Sequence, residues 1–173
     1  MEEFFMDVMK AIETRRSIRK YLPAPVEHEK LALVLEAARL SPSAVNAQNW
    51  KFIAVREPEK MKLMHAASFE QPSMGEAPCA IAVCATDGRL MDCGQSTGTV
   101  NPCIAMSYML LEAHELGLGM CWMGHFKEAE VKKTLGIPEE VTVVAISPLG
   151  YPAEAPESRG RKPADEVISY DKY

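Results

Sequence analysis

The sequence predicts an α+β domain built in layers. Three observations predict it. Helical and strand-like segments mix without the regular β–α alternation of a parallel sheet. The clearest strand segments, Cys79–Ala85 and Val141–Ser147, are short apolar runs of the kind buried inside a sheet. And 173 residues, 47% of them hydrophobic, are enough for one packed core and too few for two ordinary domains, so residues 1–173 read as a single domain.

Taken in order, Met1 to Ile12 sets Phe4, Phe5, Val8, Met9 and Ile12 among acidic Glu2, Glu3 and Asp7. This predicts an amphipathic helix and disfavours a signal peptide, whose leading segment is positive. The run Ser17–Leu22 leads into Pro23 and Pro25, which mark a turn. Val26, Leu31, Val34, Leu35 and Ala38 follow helical spacing until Ser41-Pro42. Pro42–Asn49 is small and amide-rich and reads as a loop before a strand over Trp50–Val55.

Pro58–Ala67, with Met61 and Met64 on one face, reads as a short helix, and Ser73–Pro78 as a connection to the strand Cys79–Ala85. Asp87–Val100 reads as a long loop or partly helical lid. Asn101 as cap, Pro102 in the first turn, the stripe Ile104, Tyr108, Leu111 and Leu116, and Gly117 as terminator delimit the best-marked helix. A short apolar segment Gly119–Gly124, a helix Lys127–Leu135 closed by Gly136 and Pro138, and the strand Val141–Ser147 follow. From Pro148 onward prolines, glycines and charges prevail; the tail has too few apolar residues for its own core, and Val167, Ile168, Tyr170 and Tyr173 can add a strand to another surface, a partner subunit being one candidate.

The composition excludes several classes. A net charge of −5 speaks against nucleic-acid binding, since a polyanion needs a basic face. No apolar stretch approaches the roughly twenty residues of a membrane-spanning helix, so a cytoplasmic location is expected. Cys79, Cys84, Cys93, Cys103 and Cys121 contain no Cys-x-x-Cys pair, and most of them read as small buried hydrophobes. His28, His65, His114 and His125 are scattered, giving no metal site.

Against this acidic background, Arg15, Arg16, Arg19 and Lys20 concentrate four cations in six residues around the Ser17 hydroxyl. Guanidinium forks suit a phosphate monoester, because two parallel N–H groups match two oxygens. The competing reading is a solvated turn or a helix C-terminus, where cations meet the macrodipole. Arg159, Arg161 and Lys162 form a second basic cluster, with both arginines on one face if the backbone is extended. The two clusters can converge on one anion, or the second can be simply a polar tail. Ser41–Trp50 gathers hydroxyl and amide groups fit for the edge of a heterocycle, although these are also turn residues. Gly117–Gly124 can bring backbone near a flat ligand, but it follows a helix and lacks the glycine spacing of a dinucleotide turn. No phosphate loop, nucleophile elbow or zinc helix is present.

In order along the chain, Arg15-Arg16-Ser17-Ile18-Arg19-Lys20-Tyr21, Ser41-Pro42-Ser43 through Asn46, Gln48 and Trp50, Gly117-Leu118-Gly119 with Cys121-Trp122-Met123-Gly124, and Arg159-Gly160-Arg161 resemble the FMN-dependent nitroreductase family, over about Ala11 to Val167. The resemblance implies a three-layer domain with a central, mainly antiparallel sheet flanked by helices, assembled as an intertwined homodimer whose 152–173 extension packs on the partner. It implies an NAD(P)H oxidoreductase with FMN as cofactor, NADH or NADPH as reductant, and a nitroaromatic, quinone or similar small molecule as acceptor. It assigns Arg15, Arg16, Ser17, Arg159 and Arg161 to the flavin phosphate and ribityl region and Arg19 to the pyrimidine side. Pro42, Ser43, Ala44 and Asn46 would approach from the second subunit, with Gln48 in the same motif. Cys121, Trp122, Met123 and Gly124 would line the flavin face. Asn49 stands where many members have proline, and the mid-chain Asn and Lys of some members are not found. A protein that stores FMN without turnover, and relatives that fragment flavin or remove halogen, are the alternatives.

Overall fold

The computed structural model describes residues 7–173. Phe4 and Phe5 of the expected N-terminal helix lie outside the described residues. The helix is present from Val8 to Thr14 (α1), with the Asp7 carboxylate accepting from the Met9 N–H at its start.

Four strands form one sheet in the order β1-β2-β4-β3, every neighbouring pair antiparallel: β1 Trp50–Val55, β2 Cys79–Ala85, β3 Gly119–Met120 and β4 Thr142–Gly150. β2 sits inside, and its alternate side chains go to opposite cores. Ala80, Ala82 and Cys84 join one cluster; Cys79, Ile81 and Val83 join the other. All seven residues of β2 are buried, which is why the strand reads as a continuous apolar run.

One core lies under α3 (Pro58–Ala67), α4 (Pro72–Glu76) and α6 (Glu128–Leu135), with Met61, Met64, Met74 and Val131 packed against β2 and β4. The other lies under α2 (His28–Arg39) and α5 (Thr97–Glu115), through Leu31, Val34, Ala105, Met106 and Met109. Helices on both faces make three layers. Between Val83 and Cys84 the register with β4 shifts, so Val143 and Ile146 reach the first core while Ala145 and Leu149 reach the second.

Three expectations change and two sharpen. α5 begins at Thr97, four residues before Asn101, and Pro102 lies inside it. Gly98, the residue whose carbonyl the proline ring crowds, has no side chain to add to the congestion. Ser73–Pro78 is no mere connection, because Pro72 pre-sets the first turn of α4. β4 continues through Pro148 to Gly150, since pairing with β2 and β3 outweighs the local turn signals. Cys93 is exposed and Cys103 only partly covered, whereas Cys79, Cys84 and Cys121 are buried. The tail forms one helical turn (α7, Ala164–Val167) instead of a strand, and Val167, Ile168, Tyr170 and Tyr173 are all exposed. Among the described residues no helix is long and apolar enough to cross a membrane.

Candidate anion cleft and its surroundings

At Arg15 the backbone leaves the helical region (φ −56°, ψ 138°), and residues 15–22 run extended between two other segments. On one side the Ile18 N–H donates to the Met120 carbonyl at 3.1 Å. This approach requires Gly119: a Cβ there would stand 2.6 Å from the Cβ and Cγ1 of Ile18. On the other side Ala153 N–H donates to Lys20 O and Leu22 N–H to Tyr151 O, both at 2.9 Å, around the antiparallel bridge Tyr21–Pro152. Continued backward, that register sets Ser17 opposite Pro156 and Arg15 opposite Ser158. Strand pairing therefore brings together two basic clusters more than 130 residues apart in sequence.

They meet in a cleft of about 210 Å³ lined by Arg15, Arg16, Ser17, Arg19, Pro156, Glu157, Ser158, Arg159 and Arg161. Arg16 also serves the helix end, its Nη1 donating to the Glu13 and Arg15 carbonyls at 2.8 Å each. Arg19 Nη1 reaches the Ser17 carbonyl at 3.4 Å, and Arg161 Nη1 the Gly160 carbonyl at 2.6 Å. Among the described residues no carboxylate forms an ion pair with any of these five guanidiniums. Lys162 of the second cluster, in contrast, is paired with Glu166 at 4.0 Å. Glu154, opposite Arg19 on the strand register, accepts from the Arg19 backbone N–H at 2.6 Å, and Glu157 lines the cleft without an ion pair to any of the five. Guanidiniums converging without a paired carboxylate repel one another, and an anion with several oxygens relieves that repulsion.

Behind this segment, Thr14 Oγ1 and His114 Nε2 lie 2.8 Å apart, joining the end of α1 to α5. Burial and then the Arg15 charge hold the His114 imidazole below its ordinary pKa, Arg16 acting in the same direction and Glu115 against it.

Cys121–Gly124 adjoins the cleft where the Ser17 hydroxyl and the Arg15 and Arg19 charges act on the Cys121 thiol, whose S–H is directed to the Trp122 carbonyl at 3.7 Å. Met123 and Ile146 exchange both backbone hydrogen bonds, at 3.0 and 3.1 Å. Two residues back, Cys121 would face Pro148 in the same way, but proline has no N–H to give. That leaves the Cys121 carbonyl without its ladder donor, and the Pro148 carbonyl takes the Ser147 hydroxyl at 2.9 Å while the Cys121 N–H donates to the same Ser147 Oγ at 3.2 Å, so the ladder opens at Cys121 and Trp122. Burial raises the Cys121 thiol pKa, and the Arg19 charge, the Ser17 hydroxyl and the Arg15 charge oppose it only in part. Trp122 is 44% exposed, and its ring covers Gly124, where a Cβ would come within 2.9 Å of it.

The cleft wall includes none of Pro42, Ser43, Ala44, Asn46 and Gln48. Their loop contains the turn Ala44–Asn46 and three left-handed residues with side chains, Val45 (φ 50°), Asn46 (φ 55°) and Gln48 (φ 48°). Ser43 Oγ accepts from the Gln48 N–H at 3.1 Å, and Asn101 Oδ1 accepts from the Ala44 N–H at 3.0 Å. Asn101 is thus no helix cap. The sequence signal for it was a polar side chain at an otherwise apolar helix position, which an end-of-helix reading absorbs. Among the described residues no three His, Cys, Asp or Glu side chains group as a metal site.

The family model described as Nitroreductase family matches residues 12–81 and 56–151. A Methanothermobacter thermautotrophicus protein with a provisional NADH dehydrogenase/NAD(P)H nitroreductase name is 36% identical over 173 residues, covering 94% of this chain and 86% of its own. The FMN reductase (NAD(P)H) of Bacillus subtilis is 28% identical over 185 residues, covering 96% of this chain and 74% of its own. Among solved structures, a nitroreductase family protein from Clostridium difficile superimposes with a TM-score of 0.87 at 28% identity, over 97% of this chain and 100% of that one.

Proposed function

The chain belongs to the nitroreductase family, and from that premise we propose that it is an FMN-dependent oxidoreductase passing electrons from NADH or NADPH to a small nitroaromatic, quinone or similar acceptor. The observation that carries this reading is the cleft in which guanidiniums from residues 15–19 and 159–161 converge without an ion-paired carboxylate. Fork-shaped donors of this kind fit a terminal phosphate better than a carboxylate, because a phosphate monoester offers three oxygens and close to two charges. Relatives named for FMN and NAD(P)H point the same way.

Arg15, Arg159 and Arg161 hold the phosphate, with Arg16 stiffening the helix end beside them. The Ser17 hydroxyl, in the cleft wall and acting on the Cys121 thiol, links the phosphate end to the segment Cys121, Trp122, Met123 and Gly124, which borders the ring. Bound FMN supplies the hydride acceptor and the electron store. Arg19 would hold the pyrimidine side of the flavin, where its charge would favour the reduced, negatively charged form. Burial keeps the Cys121 thiol protonated and so withholds a nucleophile from the reacting ring. No side chain is assigned as a general acid or base.

Pro42, Ser43, Ala44, Asn46 and Gln48 come to the flavin from a second subunit, and the assembly is a homodimer. Two features support this. The tail exposes Val167, Ile168, Tyr170 and Tyr173, and Val8, Ala11, Ile12, Ala37, Tyr108 and Leu111 border one apolar groove on α1, α2 and α5. Apolar surfaces of that kind call for cover.

A flavin-fluorescence titration tests the cofactor assignment. Arg15→Ala or Arg161→Ala each removes a charged hydrogen bond, about 1.5–3 kcal/mol, and should raise the FMN Kd by about 10- to 150-fold. Lys60→Ala, which breaks only a surface pair with Glu57, should leave it unchanged. Unchanged affinity in both arginine variants would defeat the assignment.

A further inference from the structure

Resting on that reading of the flavin site, we infer that Asn101 and Asn49 are positioning residues, forming a buried amide relay that presets the Ser43–Gln48 loop for the cofactor. Both side chains are essentially shut off from solvent, at 0% and 3% exposure. A buried primary amide carries two donors and an acceptor that need partners. Here they are spent in one direction. Asn101 Oδ1 takes the Ala44 N–H at 3.0 Å, and Asn101 Nδ2 donates to Asn49 Oδ1 at 2.7 Å. Asn49 Nδ2 donates in turn to the Asp87 carbonyl at 2.8 Å, with the Asp87 carboxylate at 3.3 Å and Thr97 Oγ1 at 3.5 Å.

The relay enters the loop at Ala44, immediately before Val45. Val45, Asn46 and Gln48 then occupy left-handed backbone, which a β-branched residue such as Val45 strongly disfavours. The hydrogen bonds inside the loop, Ser43 with Asn46 and Gln48, Ala44 with Ala47 and Gln48 with Asn46, are local. Among the described residues, the relay is the hydrogen-bonded tie from the loop to α5 and, beyond it, to Asp87 at the start of the 87–96 segment. Without it the loop relaxes toward ordinary backbone, and the fraction of molecules ready for the flavin falls. The apparent Kd rises by the inverse of that fraction.

The test uses the full-length chain with Asn101→Asp, comparing FMN affinity with wild type at two pH values. A protonated aspartic acid donates to Asn49 Oδ1 and accepts from the Ala44 N–H, as the amide does. Ionised, it sets a carboxylate against Asn49 Oδ1. Burial raises the pKa of that carboxyl, so the mimic works at low pH and is lost as pH rises through the raised value. The variant should match wild type at about pH 5 and bind FMN about tenfold more weakly than wild type at about pH 8. The ratio to wild type at each pH cancels the titration of the FMN phosphate itself. Amide-exchange protection of Ala44 should follow the same profile, and Asn49→Ala should weaken binding at both pH values. Wild-type affinity and Ala44 protection at both pH values in Asn101→Asp would overturn the relay. Protection that responds to pH while FMN affinity does not would overturn its role at the flavin. Failure of the wild type to bind FMN would instead sink the proposed function, leaving Ala44 protection to report the relay by itself.

Discussion

Replacing Gly119 by alanine should both destabilise the protein and displace its anion cleft. The added methyl would sit 2.6 Å from Ile18 Cβ and Cγ1 and 2.9 Å from Cγ2, about 1 Å inside ordinary carbon contact. Because Ile18 Cβ itself is one of the atoms struck, no rotamer of Ile18 relieves the clash, and the backbone of residues 17–19 has to withdraw. That withdrawal breaks the Ile18 N–H to Met120 bond of 3.1 Å. Overpacking costs about 1–3 kcal/mol and the lost bond about 1 kcal/mol more. For a chain of this size the total of about 2–4 kcal/mol lowers Tm by roughly 5–15 °C. Ser17 and Arg19 flank Ile18, so FMN affinity should fall together with stability. Gly117→Ala is the control. Gly117 has φ +73° with open space around its Cβ position, so alanine there meets only backbone strain, about 1 kcal/mol, and leaves the cleft in place. Thermal unfolding followed by circular dichroism, with an FMN titration on each variant, reads both effects. A Gly119→Ala protein with wild-type Tm, or with the same FMN affinity as Gly117→Ala, would refute the reasoning.

Two further outcomes follow from the titrating groups. His114 has its folded pKa below the unfolded value, so it contributes stability that is fully present above about pH 6.5 and is lost as pH falls through the depressed value; the Tm difference between wild type and His114→Gln should shrink over that range, and a difference independent of pH would count against it. The Cys121 thiol is buried with its pKa raised while Cys93 is exposed, so iodoacetamide at about pH 8 should label Cys93 first and Cys121, like the buried Cys79 and Cys84, much more slowly; prompt labelling of Cys121, read by peptide mass spectrometry, would contradict the environment described.

Much of the layered fold was legible because its signals are local. The bounds of β1, β2 and α3 follow from apolar runs and proline, and Gly136 (φ 65°) ends α6 where a glycine stop was expected. What misled was local signal overruled by pairing at a distance. Pro148 looks like a strand breaker, yet β4 passes through it, with the missing N–H facing the point where Cys121 turns to Ser147 Oγ. Asn101-Pro102 looks like a helix start, yet the helix begins at Thr97 and Asn101 is spent on Ala44 and Asn49. The two basic clusters were visible as compositions, and their convergence was one possibility among several. Only the antiparallel run of residues 15–22 beside 151–154 places them on one cleft. The tail's exposed Val167, Ile168, Tyr170 and Tyr173 show why its conformation was not legible, since a segment without its own core takes its shape from whatever covers it.

The most direct test of the central claim is anaerobic stopped-flow absorbance on the purified protein reconstituted with FMN, mixed with NADH or NADPH and then with a quinone or nitroaromatic. The account predicts that at least one nicotinamide bleaches the bound flavin band and that the acceptor restores it. A protein that refuses FMN, or a bound flavin that neither nicotinamide reduces, would contradict it.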